Sequence, residues 1–229
     1  MWALRKFDAD PSFFPDSLEQ RGCMAHEITS EAALRERMGD PVHELVVIKT
    51  TTVLTEPLQR YIAQAPFACI ATYGEDGTCD LSPRGDPPGF VRIIDEQTLF
   101  LPERPGNKRL DTVINLIHQP QLSLIFMIPG TLNTVRVNGT GVVTVDPALL
   151  AASAINNKIP ELGILITVGE AYGHCSKALR RSKLWQQDFL ADSNVPTLKE
   201  MMVAHLDLDE ETGEMLEQGI ALDVETRMY

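Results

Sequence analysis

Three cations, Arg104, Lys108 and Arg109, crowd the stretch LPERPGNKRLD at residues 101–111. Guanidinium and ammonium groups gathered around a Pro-Gly turn are suited to holding an anion. Downstream, Leu110, Val113, Ile114 and Ile117 recur at i, i+3, i+4 and i+7, which predicts an amphipathic helix ended by Pro120. Asn107 is its expected N-cap, so Lys108 and Arg109 would be the first two helical residues. Each would oppose the helix dipole by about 0.3–1 kcal/mol, and an Asp111–Lys108 pair would return only about 0.2–0.5 kcal/mol. A bound phosphate would reverse the sign, because backbone N–H groups, dipole and cations would converge on it. A solvated basic turn is the alternative, and at this point both stand.

Two further stretches carry candidate chemistry. DLSPRGDPPGFV offers Arg84, Gly85 and Asp86 on a Pro/Gly-rich loop, either a wide surface turn or a rigid ligand-presenting one. HCSKALRRSKLW carries Cys175, Lys177, Arg180, Arg181 and Lys183 with no acid among them; Lys177 and Arg181, at i and i+4, would share a helix face. The five histidines are scattered, and no Ser-His-Asp or Cys-His arrangement can be assembled. Cys23, Cys69, Cys79 and Cys175 show no C-x-x-C pair or metal-ligand spacing, so they read as free thiols in a reducing cytoplasm, with no metal site expected.

The elements that must position these groups are mostly strands. FACIAT, TCDLSP, FVRIID, TLFLP, LSLIFMI, TVRVNGTGVVTV and ILITVGEAY are seven short β-type runs with one helix among them, which suggests an antiparallel barrel. Gly74-Glu-Asp-Gly77 reads as a hairpin turn, and Gly139 and Gly141 suit a bulge or tight bend. Helices are expected over about 31–38, with Thr29 or Ser30 as cap, over TEPLQRYIAQ, over HCSKALRRSKLWQQDFL and over TLKEMMVAHL. HELVVIKTTTVL is ambiguous between strand and helix. Residues 1–27 read as an N-terminal extension and 28–229 as one domain.

Composition narrows the function. Thirty-two acidic against 20 basic residues, a net charge of -12, disfavour nucleic acid and anionic membrane surfaces, both of which bind through excess Lys and Arg. Eight carboxylates and no Lys or Arg lie between Asp207 and Glu225, which leaves room for basic patches elsewhere. The N-terminus lacks the apolar core of a signal peptide. Residues 112–135 carry no charged side chain, but Pro120 and Pro129-Gly130 cut them too short for a membrane span.

Taken in order, PFACIAT, DLSPRGDPPGFV and LFLPERPGNKRLDTVINLIHQPQLSLIFMIPGTLNTVRVNGTG resemble the FMN-binding split-barrel family related to pyridoxamine 5'-phosphate oxidase. The resemblance implies a mainly β protein with flanking helices, built on a six-stranded antiparallel split β-barrel. It implies a cytoplasmic homodimer with FMN at the subunit interface, acting as an oxidoreductase on a small molecule with NADH or NADPH as a possible donor. By position it puts Ser82, Arg84, Gly85, Asp86, Arg104, Asn107, Lys108 and Arg109 at the flavin phosphate or ring. It puts Thr134 and Arg136 on the later flavin-contacting strand, and Cys175, Lys177 and Arg181 in a weaker C-terminal echo. The Trp and Arg pattern that completes the pyridoxamine phosphate site in the true oxidases is not recognisable, which argues against that specific activity. Alternatives are a flavin carrier or sensor without turnover, and a barrel that binds haem or a deazaflavin.

Overall fold

The computed structural model describes residues 27–40, 44, 48–186 and 195–229. The expected extension over residues 1–27 falls almost wholly outside these, as do Cys23 and part of HELVVIKTTTVL. The chain divides into two compact units, Met1–Val47 and Ile48–Tyr229. In the first, helix α1 spans Glu31–Met38; the Ser30 hydroxyl accepts from Ala33 N, and Gly39, at φ 74°, ends it.

The second unit opens with α2, Glu56–Gln64, which has Pro57 in its first turn and buries Ile62. Seven strands follow: β1 Phe67–Tyr73, β2 Cys79–Gly85, β3 Arg92–Asp95, β4 Thr98–Pro102, then, after helix α3 Asp111–His118, β5 Gln121–Met127, β6 Thr134–Thr144 and, beyond the short helix α4 Pro147–Ala151, β7 Gly163–His174. Helices α5 Lys177–Ser182, α6 Leu198–Leu206 and α7 Glu210–Arg227 complete the unit. Each of the seven β-type runs becomes a strand. The sheet thus has one strand more than the six the resemblance implies, the short β3 lying at its edge.

Every pairing between these strands is antiparallel, in the order β2-β1-β5-β6-β7-β4-β3. Alternation places Ala68, Ile70, Leu122, Leu124, Phe126, Val135, Val137, Ile164 and Ile166 in one interior, together with Leu99 and Leu101 from the far side of the sheet. A single core shared by strands from both ends of the order is what a barrel requires, and the absence of any ladder between the two ends among the described residues leaves it split.

The bulge expected at Gly139 is present, whereas Gly141 pairs in regular register with Ile166. The β6–β7 register slips between Asn138 and Gly139, where Gly169 is the extra residue on β7. A Cβ on Gly139 would lie 2.0 Å from Thr167 O, so only glycine lets the strands approach here. Gly141 sits against Leu122 and Ile164 in the core.

Three helix expectations are corrected. Helix α3 begins at Asp111, not at Lys108: Lys108 and Leu110 both adopt left-handed backbone, with φ 59° and 60°, which breaks the helix before it starts. Its buried face is Thr112, Val113, Asn115 and Leu116, so of the predicted apolar stripe only Val113 is buried, while Leu110, Ile114 and Ile117 are exposed. The helix after β7 closes at Ser182 because Lys183 turns left-handed; the rest of the stretch expected to be helical beyond residue 186 lies outside the described residues. The acidic tail is largely helical: Asp209 caps α7 through Thr212 N, and Glu210 and Glu211 favour its positive end.

No helix among the described residues is long and apolar enough to cross a membrane.

Candidate functional site

The split is where the candidate residues gather. The end of β2 and the loop after β4 face each other without backbone pairing, and two ion pairs span the gap. Arg84 Nη2 donates to Glu103 Oε2 at 3.2 Å, and Arg104 Nε to Asp86 Oδ2 at 2.6 Å. Both are largely shielded, and the Asp86 carboxylate is only 2% exposed. Its other oxygen accepts from the Tyr229 hydroxyl at 2.9 Å.

Each side chain has a local reason for its place. Ser82 and Arg84 pair with Ile70 and Ala68 on β1, which turns them to the inner side of the β2 edge. Asp86 N donates to Pro66 O, which fixes the first residue after the strand. Arg84 also donates to Thr112 Oγ1 at 3.2 Å, tying β2 to the first turn of α3. One turn on, Asn115 Nδ2 reaches Thr72 Oγ1 at 3.1 Å and Asp80 Oδ2 at 2.6 Å, so polar contacts seat this face of the helix on β1 and β2.

Around the seam lies a cleft of about 480 Å³ whose walls include Ser82, Arg84, Gly85, Asp86, Arg104, Asn107 and Arg109. Seven of the expected residues therefore converge. Lys108 does not line it; the residue faces a second cleft of about 700 Å³ on the other side of the 103–110 loop. Asn107 caps the backbone of that loop rather than a helix, since Arg109 N donates to Asn107 Oδ1 at 3.0 Å.

Thr134, Arg136, Cys175, Lys177 and Arg181 line neither cleft. Thr134 is buried opposite His174, and Arg136 Nε donates to Asn138 Oδ1 on the outer face of the sheet. Asn138 there also accepts from Ser123 and donates to Glu170. The α5 segment is tied down elsewhere, by Trp185 Nε1 donating to Thr131 O at 2.6 Å. Cys69, Cys79 and Cys175 are free thiols, and burial pushes the Cys69 thiol above its usual range.

Sequence reasoning missed Glu103, Thr112 and Tyr229. Glu103 sits beside Arg104 in P-E-R-P, so a charge-matching reading of the cluster could have found it. Tyr229 lies 143 residues from Asp86 along the chain, and nothing in its surroundings announces the contact. The hydrogen bond to the Asp86 carboxylate, with burial second, holds the Tyr229 phenol above its usual range.

The electrostatics differ from those expected of a cationic helix terminus. Arg84, Arg104 and Arg109 are matched by Glu103, Asp86 and Asp111, so the first cleft carries no net charge. It is nevertheless rich in donors. Arg84 Nε is buried without a partner, and such an orphan costs roughly 1–3 kcal/mol unless a ligand meets it. The first-turn N–H groups of α3 face no helical carbonyl. A phosphate such as that of FMN fits this donor set through hydrogen bonds rather than through net charge.

The sequence profile described as pyridoxamine 5'-phosphate oxidase matches residues 54–175, more than half of the chain. The chain belongs to the pyridoxamine 5'-phosphate oxidase family. The match spans β1–β7 and both walls of the first cleft. HupZ from Group A Streptococcus is 20% identical, with 53% of this chain and 94% of that one covered at a TM-score of 0.44. A protein from Lactobacillus delbrueckii described as a candidate pyridoxamine 5'-phosphate oxidase is 21% identical, with 55% and 99% covered at 0.41. An F420 reductase is 16% identical, with 51% and 94% covered at 0.37. At these levels none lends this chain its activity. No curated protein matches the chain.

Proposed function

We propose that the protein is an FMN-binding flavoprotein, an oxidoreductase of a small molecule, that works as a cytoplasmic homodimer. The observation that carries this reading is the buried, unpartnered Arg84 Nε at a cleft where three arginines meet, in a chain of this family. Arg84, Arg109 and Thr112 would hold the phosphate, while the Asp86–Arg104 pair keeps the wall in place. FMN, when bound, would supply the hydride or electron transfer, with NADH or NADPH as donor. The protein's own work is to bind, orient and shield it.

Dimerisation is supported by the exposed apolar side chains Ile114 and Ile117 on α3 and Leu81 on β2. A second copy covering such a surface could also bring Thr134 and Arg136, which lie away from the first cleft, to the flavin of its neighbour.

Purification and titration test this. The expected result is a yellow protein, or a colourless one that binds added FMN and is reoxidised after reduction by NADH or NADPH. Arg84→Ala should weaken FMN binding by about 2 kcal/mol, the worth of a charge-assisted hydrogen bond. A protein that neither copurifies with FMN nor takes it up overturns the reading. Flavin that binds but never turns over would make the protein a carrier or sensor. Titration with haem and with a deazaflavin tests the alternative of a barrel that takes another cofactor.

A further inference from the structure

The second cleft lies on the other side of the 103–110 loop from the cleft proposed for the flavin, and shares that loop with it as a wall. Its volume of about 700 Å³ suits a small molecule. One wall is the 103–110 loop, the other is the stretch from Lys158 to Leu162, and Tyr229 closes one side. Glu103 N donates to Leu162 O at 3.0 Å, which joins the two walls.

Both walls present a lysine from a fixed backbone. Lys158 ends a tight turn in which Ile155 and Lys158 exchange backbone hydrogen bonds of 3.1 and 2.8 Å, with Asn156 and Asn157 at φ 51° and 61°. Lys108 is left-handed at φ 59° between Asn107 and the Arg109 N–H that Asn107 caps. A non-glycine residue in that region is strained, because its Cβ crowds the following carbonyl. The strained turn sends Lys108 to one cleft and Arg109 to the other.

Charge and polarity then narrow the ligand. Glu103 and Arg104 in the shared wall are already paired with Arg84 and Asp86. Of the remaining charged side chains, Lys108 and Lys158 outnumber Glu161 by one. Lys158 Nζ donates to the main-chain oxygen of Tyr229, whereas Lys108 has no partner among the described residues. Leu110 and Ile159, 45% and 59% exposed, offer apolar surface to the cleft, and the Tyr229 ring lies 5.9 Å from the Arg104 guanidinium.

We propose that the second cleft binds a small molecule that joins one anionic group to a flat apolar body. Lys108 and Lys158 take the anion, and Leu110, Ile159 and the Tyr229 ring take the body. This holds whatever cofactor the first cleft accepts.

The test uses the full chain with 2-naphthoate and its neutral isostere 2-naphthamide, titrated by calorimetry. The acid should bind at least about tenfold more tightly than the amide, a difference of ~1.4 kcal/mol. Lys108→Met together with Lys158→Met should abolish that preference while leaving amide binding unchanged, which also reports that the cleft is still folded. Should the double variant lose amide binding too, Lys108→Met alone is measured, because its exposed side chain can be replaced without touching the 155–158 turn. The proposal is overturned if the wild-type chain binds neither compound, binds both equally, or keeps its preference in Lys108→Met and in the double variant. Arg84→Ala, titrated in parallel with FMN and with 2-naphthoate, should affect only FMN, so failure at one cleft is distinguishable from failure at the other.

Discussion

Lys108 and Arg109 are adjacent in the chain and face different clefts. The left-handed backbone at Lys108 makes the division. Their roles should therefore separate under mutation. Arg109→Ala should weaken FMN binding by roughly tenfold, the low end of a charge-assisted hydrogen bond, and Lys108→Ala should leave it unchanged. Equal losses in equilibrium titrations of the two variants would show that both lysine and arginine serve one anion.

Asp86 is the most deeply shielded charge at the seam, held by Arg104 and Tyr229. Asp86→Ala leaves Arg104 without its counter-ion and should cost about 3 kcal/mol. Glu103→Gln, at a more open pair that keeps its hydrogen-bond acceptor, should cost about 1 kcal/mol. Urea melts of the two variants against the wild type rank these costs; the reverse order would mean that the seam is held mainly by Arg84.

Tyr229 supplies a pH dependence of definite sign. Its phenol is held above the usual value by the hydrogen bond to Asp86, so the native state keeps its proton more tightly than the unfolded chain does. The resulting stabilisation is complete below the ordinary phenol pKa of about 10 and is lost as pH rises through the higher native value. Tyr229→Phe should remove that alkaline loss. Denaturant midpoints measured across the alkaline range for both proteins check it, and parallel curves would sink the claim.

Gly139 has no room for a methyl group, because the obstacle is the Thr167 carbonyl rather than a movable side chain. Gly139→Ala should destabilise the barrel by about 3 kcal/mol, the upper part of the range for overpacking. Gly219→Ala, in α7 with open space around the new Cβ, should instead raise helix stability by about 0.5–1 kcal/mol. Thermal melts of the first variant and amide exchange in α7 of the second read out the opposite signs.

The strands were legible because alternation is a local property: FACIAT and LSLIFMI carry their inward faces in adjacent letters. The start of α3 was not, since Lys108 and Leu110 are ordinary helix formers whose left-handed backbone is imposed by the surrounding loop. For the same reason the exposed side of α3 was mistaken for its buried one. Thr112 and Asn115 are polar, and only their partners Arg84, Thr72 and Asp80, on other strands, make them interior residues. The cations and carboxylates of the candidate site are all written in SPRGD and LPERPGNKRLD, but the pairing of Arg84 with Glu103 and of Arg104 with Asp86 is made through space, between two stretches of chain.

Strand β7 shows what a single inserted residue can do. Up to Val168 its even-numbered side chains, Ile164, Ile166 and Val168, form part of the hydrocarbon wall; beyond Gly169 the odd-numbered Ala171 takes over inside. Glu170, Tyr172 and His174 are thereby released to the outer surface beside Asn138, Arg136 and Thr134. Gly169 acts as a phase inverter, so one continuous strand can serve two surfaces with opposite demands. Pairing the same residues without the bulge would rotate everything downstream by half a turn, carrying a carboxylate into the oil and an alanine into the polar network.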